Sequence, residues 1–343
     1  MTLPRTTIAS APTRVDLAGG TLDIWPLHLL VEHAVTVNVA VDLRARVRVS
    51  PSGSASHLVI SEDLKREVRI GSSRFEGPAS SRDLPLHAAI LRHLAPEGGL
   101  AVVTRSEVPA GSGLGGSSSL AIALLAAVLA ARGESPEAGA LVTLARDLEA
   151  QVIGAPTGTQ DHLAAVHGGI SAIEWRPGGA IRRELHPGSD LLESWGVLAY
   201  LGASRASARA NWDMVRRALD EDPATRRGLS QIGAIAAAMA RALERCDFEE
   251  ASRLLDAEWV ERRGLSPEVS TGATESALAA ARRAGATGGK ICGAGGGGCL
   301  FVMGPPEARG QIAAALQGAG CRVLEFRVAA RGLSVEFPEE GAA

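Results

Sequence analysis

The stretch Pro109-Ala-Gly-Ser-Gly-Leu-Gly-Gly-Ser-Ser-Ser-Leu120 decides how this 343-residue chain is read. Glycines stand at 111, 113, 115 and 116, and three serines then open an apolar run that continues to Ala131. Glycine lets the backbone take unusual dihedrals and come close to a ligand. The serines fall where a helix begins, and the unpaired N–H groups of a helix N-terminus suit phosphate. Their hydroxyls add hydrogen bonds to phosphate or oxygen ligands for Mg2+. Two other glycine patterns compete for the same residues. Gly111, Gly113 and Gly116 fit G-x-G-x-x-G, the dinucleotide fingerprint, but no strand ending in an acid follows at the usual distance, and Glu134 lies in a turn. The spacing of a Walker loop is also present, without the lysine that defines it. The plainest alternative is a glycine turn that only caps a buried helix.

Working outward, the upstream half reads as strands. TTIASAPTRVDLAGG (6–20) is extended and ends on a glycine pair, and AVTVNVAVDLRARVRVS (34–50) alternates apolar and polar residues. Residues 51–82 suggest a further strand pair, 84–95 a helix, and 101–108 a strand that delivers the chain into the glycine loop. Downstream, 117–131 is apolar all round, as in a buried helix, and 136–152 is a second helix. GAPTGTQD (154–161) is a loop, HLAAVHGG (162–169) begins as a helix and ISAIEW (170–175) is a strand. The loop-rich segment 176–190 separates two expected domains, 1–180 and 190–337. In the second, a strand at 196–201 precedes helical stretches at 208–219, 229–246, 248–262 and 273–284. A glycine turn then feeds a strand (290–303), and a helix (306–317) and a strand (321–328) close the domain. The fold class is α+β with two domains.

Composition limits the function. Hydrophobic residues are 46% and charged residues 21%, enough for a core and unlike a disordered chain. Lys+Arg number 35 against Asp+Glu 38, so the net charge of −3 speaks against nucleic acid as a partner. Lysine occurs only at Lys65 and Lys290. The cysteines, at 246, 292, 299 and 321, form no C-x-x-C pair, which fits neither a metal site nor a disulfide framework. The longest apolar run, Leu120 to Ala131, is short of the roughly 20 residues of a membrane span. A soluble cytoplasmic protein with no membrane partner is expected. Nothing in the sequence sets an oligomeric state.

Three glycine-rich motifs in order carry a family resemblance. Pro109 to Ser119 resembles the second signature of the GHMP kinases, Pro-x-x-x-Gly-Leu-x-x-Ser-Ser-[AS], the family of galactokinase, homoserine kinase, mevalonate kinase and phosphomevalonate kinase. Ala11-Pro-Thr-Arg-Val-Asp-Leu-Ala-Gly-Gly-Thr-Leu-Asp23 is similar to the first signature, and Lys290-Ile-Cys-Gly-Ala-Gly-Gly-Gly-Gly-Cys299 to the third. Within the family, the segments at 14–23, 158–169, 201–207 and 285–290 resemble those of bacterial heptose-phosphate kinases and fucokinase-like enzymes. Thr159 stands where that group has Lys, and Leu201 and Leu22 where it has Thr. The resemblance implies a ribosomal-S5-domain-2-like N-terminal domain and a ferredoxin-like C-terminal domain with the active site between them. It also implies ATP and Mg2+ as cofactors, and phosphoryl transfer to a sugar or sugar phosphate, at the anomeric hydroxyl of a heptose 7-phosphate or similar. Other sugars such as galactose or fucose, an acyclic alcohol such as mevalonate, and a non-catalytic ligand-binding member of the fold are the alternatives.

Roles follow from the matched positions. Asp161 is the expected catalytic base, the alternative being a helix N-cap. Arg14 is its expected partner; mevalonate kinases carry lysine at that motif position. The resemblance places ATP on Pro109, Gly111, Ser112, Gly113, Leu114, Gly115, Gly116, Ser117, Ser118 and Ser119. It places Mg2+ on Glu149 with Ser117 or Ser118, and Asp147 is close enough to compete with Glu149 for that role. Asp23 is expected on a substrate hydroxyl, with Gly19, Gly20, Thr159, Gly295 and Gly296 also against the substrate, and Ser204 and Arg205 on a substrate phosphate. Lys290 is given no catalytic step.

Overall fold

Alternation in the first fifty residues produces two long strands, β1 (Thr7–Ala18) and β2 (Val35–Pro51). The computed structural model describes residues 5–71, 83–94, 99–202 and 208–338. The chain continues through β3 (Ser56–Ser61), β4 (Arg66–Gly71), α1 (Pro85–Leu94), β5 (Leu100–Ser106), α2 (Gly116–Ala131), α3 (Ala138–Ile153), α4 (Gln160–His167), β6 (Ile170–Arg176) and β7 (Gly179–Leu185). Then come α5 (Ser189–Trp195), β8 (Gly196–Gly202), α6 (Ala208–Leu219), α7 (Pro223–Glu244), α8 (Phe248–Leu265) and α9 (Gly272–Arg283). The chain closes with β9 (Gly288–Ile291), β10 (Gly298–Met303), α10 (Arg309–Gly318), β11 (Arg322–Leu324) and β12 (Ser334–Glu336).

Among the described residues these strands form two sheets. The first runs β12-β1-β2-β5-β3-β4, with β6 paired to the start of β2 and β7 paired to β6. The second is antiparallel in the order β11-β8-β10-β9. Numbered within that sheet the order is 4-1-3-2, with helices between its first and second and between its third and fourth strands, the ferredoxin-like arrangement. The pairing of β1 with β2 shifts between Pro12 and Thr13, where β2 carries Asp42 and Leu43 as extra residues. Ala9 and Ala11 join the core under α1 to α3, while Val15 and Leu17, beyond this irregularity, join a core shared with α7, α8 and the second sheet.

Helix α2 is the central pillar. Ile122, Leu124, Leu125 and Val128 are all fully buried. Each contributes about 1.5–3 kcal/mol relative to exposure, which fixes the N-terminus of the helix in space. The helices of the second half have strong caps: Asp222 accepts from the Thr225 N–H, Asp247 from Glu250 and Thr271 from Thr274. Two expectations change. The loop-rich segment 176–190 contains β7, whose residues are exposed along most of its length. Its backbone ladder with β6, not an apolar alternation, makes it a strand. The closing strand is shorter than expected, because after Leu324 the chain leaves the second sheet, bridges Val328 to Val41 and adds β12 beside β1. No helix among the described residues is long and apolar enough to cross a membrane.

Candidate active site

Two cavities meet at the glycine loop. One, of about 230 Å³, is lined by Arg14, Asp16, Asp23, Asp161, Arg262 and Gly293, among others. The other, of about 400 Å³, follows loop residues 109–118 and reaches the apolar side chains of Leu64, Leu84 and Leu86. Gly113, Gly115, Thr157 and Asp161 line both. Asp161 thus stands at the one place where contents of the two cavities could touch.

Asp161 sits in the first turn of α4, and Thr159 occupies the N-cap position, so Asp161 is not the cap. Its Oδ1 accepts from Arg14 Nε at 2.7 Å and lies 2.7 Å from Nη2, a fork that fits a carboxylate. Arg14 Nη1 donates to the Gly113 carbonyl at 2.5 Å, which ties the Arg14–Asp161 pair to the glycine loop. Burial pushes the Asp161 carboxyl up; Arg14 and His162 pull against this, and the net direction is above the ordinary value. A raised carboxylate is a better proton acceptor. Gly115 has φ +73°, and a Cβ there would stand 3.0 Å from Asp161 Oδ2, so only glycine lets the loop backbone pass so close to the base.

Glu149 is buried in the penultimate turn of α3, at 3% exposure. Ser118 Oγ donates to its Oε2 at 2.7 Å, and His162 Nε2 lies 3.0 Å from the same oxygen. Burial alone would raise this carboxyl, but His162 and the two serine hydroxyls outweigh it and hold it below the usual range. Glu149, Ser117 and Ser118 offer hard oxygen donors beside the second cavity, the set Mg2+ takes. Among the described residues no group of three or more His, Cys, Asp or Glu could hold a metal. A cation here would complete its shell with phosphate oxygens and water, as Mg2+ does with nucleotides. Asp147, the rival acid, is exposed and paired with Arg146.

The family model "GHMP kinases N terminal domain" matches residues 85–169, and "GHMP kinases C terminal" matches 239–321. The mevalonate kinase of Thermococcus gammatolerans is 30% identical over 244 residues, 69% of each chain. The chain belongs to the GHMP kinase family. The D-glycero-alpha-D-manno-heptose 7-phosphate kinase of Campylobacter jejuni is 25% identical over 96% of this chain and 98% of its own length. A D-glycero-D-manno-heptose 1-phosphate kinase from Bacteroides thetaiotaomicron shares the fold, with a TM-score of 0.76 at 21% identity over 96% of this chain and 98% of that one.

The three GHMP motifs converge. Pro109, Gly111, Ser112, Gly113, Gly115, Gly116, Ser117 and Ser118 line the second cavity. Leu114 and Ser119 do not. The Leu114 side chain is fully buried in the shared core, and its carbonyl accepts from the Arg14 N–H. Ser119 Oγ is spent on the Pro12 carbonyl at 2.7 Å. Both residues fasten the loop to β1 instead of facing a ligand. The third motif packs on the second back to back: a Cβ on Gly113 would come within 2.3 Å of the Cys292 carbonyl. Gly293 and Ala294 face the first cavity, whereas Gly295 and Gly296 turn away and pack on Val269.

Asp23 and Gly20 line the first cavity, and Asp23 Oδ2 accepts from the Gln160 N–H at 3.0 Å. Burial, with the nearby Asp161 charge, raises Asp23 to about 8. Gly19 and Thr159 are not in the cavity wall. Gly19 ends β1 at φ +80°, its carbonyl held by Thr36 Oγ1, and Thr159 starts α4. Ser204 and Arg205 lie outside the described residues. Four residues were missed: Asp16, Gln160, His162 and Arg262. Asp16 was the findable one, since it follows Arg14 by two and so shares its strand face.

Lys290 anchors Asp16. Its Nζ lies 2.9 Å from Asp16 Oδ2 and 2.8 Å from Glu258 Oε2, all three side chains being buried. Burial alone would lower the lysine, but the two acids outweigh it and raise it. Lys290→Met is expected to cost about 3–5 kcal/mol, because it leaves two buried acids without their cation. Denaturant midpoints of this variant and of the triple variant Lys290→Met, Asp16→Asn, Glu258→Gln measure it. The triple variant should regain much of the loss, and equal instability of the two would rule out the ion pairs as the cause.

Proposed function

We propose that the protein transfers the γ-phosphate of ATP to a hydroxyl of a sugar or sugar phosphate, such as the anomeric hydroxyl of a heptose 7-phosphate. One observation carries the reading: Asp161, paired with Arg14, lines both cavities beside the N-terminus of α2. In this reading ATP lies along loop 109–118 with its base toward Leu64, Leu84 and Leu86, and the acceptor fills the smaller cavity. Mg2+ bound by Glu149 and Ser118 would neutralise phosphate charge. Residues 1–180 would supply the nucleotide site, and 190–337 would close it with the third glycine loop. The four free thiols suit a reducing, cytoplasmic setting.

The chemistry assigned to the chain is mainly positioning. Asp161 accepts the proton of the acceptor hydroxyl as its oxygen bonds to the γ-phosphorus, and the bond from that phosphorus to the β–γ bridging oxygen breaks to release ADP. Arg14 holds the Asp161 carboxylate toward the hydroxyl, and the N–H groups at the start of α2 meet the charge on the phosphates. Asp16 Oδ1 and Asp23 Oδ1 are buried cavity-lining residues' oxygens with no donor among the described residues, so each can accept from an acceptor hydroxyl. That pair favours a polyol.

A second reading is a mevalonate-like acceptor, favoured by the likeness to the Thermococcus enzyme. ADP release over a panel of galactose, fucose, heptose 7-phosphate and (R)-mevalonate, with and without a chelator, tests both. Turnover with a sugar or sugar phosphate that stops in chelator is expected. Turnover with mevalonate alone selects the second reading, and full activity in chelator removes the metal scheme.

A further inference from the structure

Arg262 is a cation with no carboxylate at ion-pair distance among the described residues, although its charge is felt by Glu258. It lies near the end of α8, at 8% exposure, and lines the acceptor cavity. Its recorded hydrogen bond is from Nη2 to the Gly293 carbonyl at 3.3 Å. Among the described residues it forms no salt bridge, whereas Arg14 is bound to Asp161 and Lys290 to Asp16 and Glu258. A guanidinium has five N–H donors in a planar fork, and burying it without an anion is costly.

The charges around the cavity are unevenly paired. Asp161 is matched by Arg14, and Asp16 by Lys290. Asp23, raised to about 8 by burial and by Asp161, is mostly neutral at pH 7. Glu258, one helical turn before Arg262, is raised by burial, lies against Lys290, and is pulled down by Lys290 and more weakly by Arg262. Arg262, held beside Gly293 in the cavity wall, is the lining cation with no carboxylate at ion-pair distance among the described residues.

We propose that Arg262 binds a phosphate or carboxylate carried by the acceptor, so that this site takes an anionic sugar in preference to a neutral one. The proposal rests on the kinase reading above for the identity of the cavity, but the binding claim can be tested apart from catalysis. The Gly293 carbonyl orients the guanidinium by holding one N–H, which leaves the rest of the fork for two oxygens of the anion. The acceptor then spans the cavity, its anion at Arg262 and its reacting hydroxyl at Asp161.

Two measurements test this on the full chain, using wild type, Arg262→Met and Arg262→Lys. In the first, AMPPNP and Mg2+ saturate the nucleotide cavity and binding of inorganic phosphate is followed by calorimetry. Arg262→Met should bind phosphate at least ~10-fold more weakly than wild type, and Arg262→Lys should fall between them. Failure of wild type to bind phosphate, or binding by Arg262→Met within ~3-fold of wild type, overturns the proposal. In the second, turnover is compared for galactose and galactose 6-phosphate, mannose and mannose 6-phosphate, heptose 7-phosphate, and (R)-mevalonate. Arg262→Met should raise KM for anionic acceptors by about 10–100-fold and leave neutral ones within ~3-fold. Preference for the phosphates or for mevalonate tells which anion is bound. A variant that slows neutral and anionic acceptors alike would assign Arg262 to the transferred phosphoryl group and overturn the proposal. Arg262-dependent phosphate binding without transfer to any acceptor would leave the anion site standing and remove the kinase reading instead.

Discussion

Asp161→Asn is expected to lower kcat by about 10²–10⁴-fold, the usual contribution of a positioned acid–base group. The substitution is nearly isosteric and leaves the Arg14 contact with Gly113 in place. Nucleotide affinity should stay within a factor of ~3, because the loop that lines the larger cavity is fixed by α2 and β1 and not by Asp161. A melting curve separates a slow enzyme from an unfolded one. Removing one carboxylate from beside Asp23 should also let Asp23 ionise at lower pH, since the Asp161 charge is among the causes that raise it. A folded variant whose kcat is within about threefold of wild type would show that Asp161 only orients the acceptor.

The second large effect is expected at the metal site. Glu149→Gln should reduce activity at fixed Mg2+ by about 10²-fold or more, and high Mg2+ should recover part of it. Asp147→Asn two residues earlier should change little, because Asp147 is exposed and shares its charge with Arg146. The comparison is a titration of rate against Mg2+ for the two variants. Glu149 also contacts His162, so thermal melting must accompany the titration. Equal responses of the two variants would place the cation elsewhere.

Much of this site could be read before any coordinates. The glycine loop, Arg14, Asp161, Asp23 and Glu149 each stand at a motif position, and motifs record backbone constraints that act over a few residues. What escaped detection depends on contacts that no local pattern encodes. Arg262 is an ordinary helix residue until Gly293 arrives from 31 positions away. His162 looks like a helical neighbour of the base until α3 sets Glu149 beside it. Gly295 and Gly296 were expected against the substrate, but the packing of the loop on Val269 turns them away and leaves Gly293 and Ala294 facing the cavity. The strand β7 was missed for a different reason: with both faces largely in solvent it has no hydrophobic period to detect.

The pairing of β12 with β1 has a consequence for how the protein is made. Ile8 lies opposite Glu336, and Ser10 opposite Ser334, so the start of the strand that carries Arg14 is covered on its outer edge only when residues 334–336 are in place. On the ribosome β1 emerges well before β12 and can pair with β2 early, but its other edge stays open for more than three hundred residues of synthesis. An open edge is a template for the wrong neighbour, and a contact between the first and last strands is of the kind that forms slowly. Arg14 is thus set on a strand whose outer edge is covered only after residue 336 has been made, and a chain stopped before residue 334 would keep every glycine motif yet leave that edge exposed to aggregation.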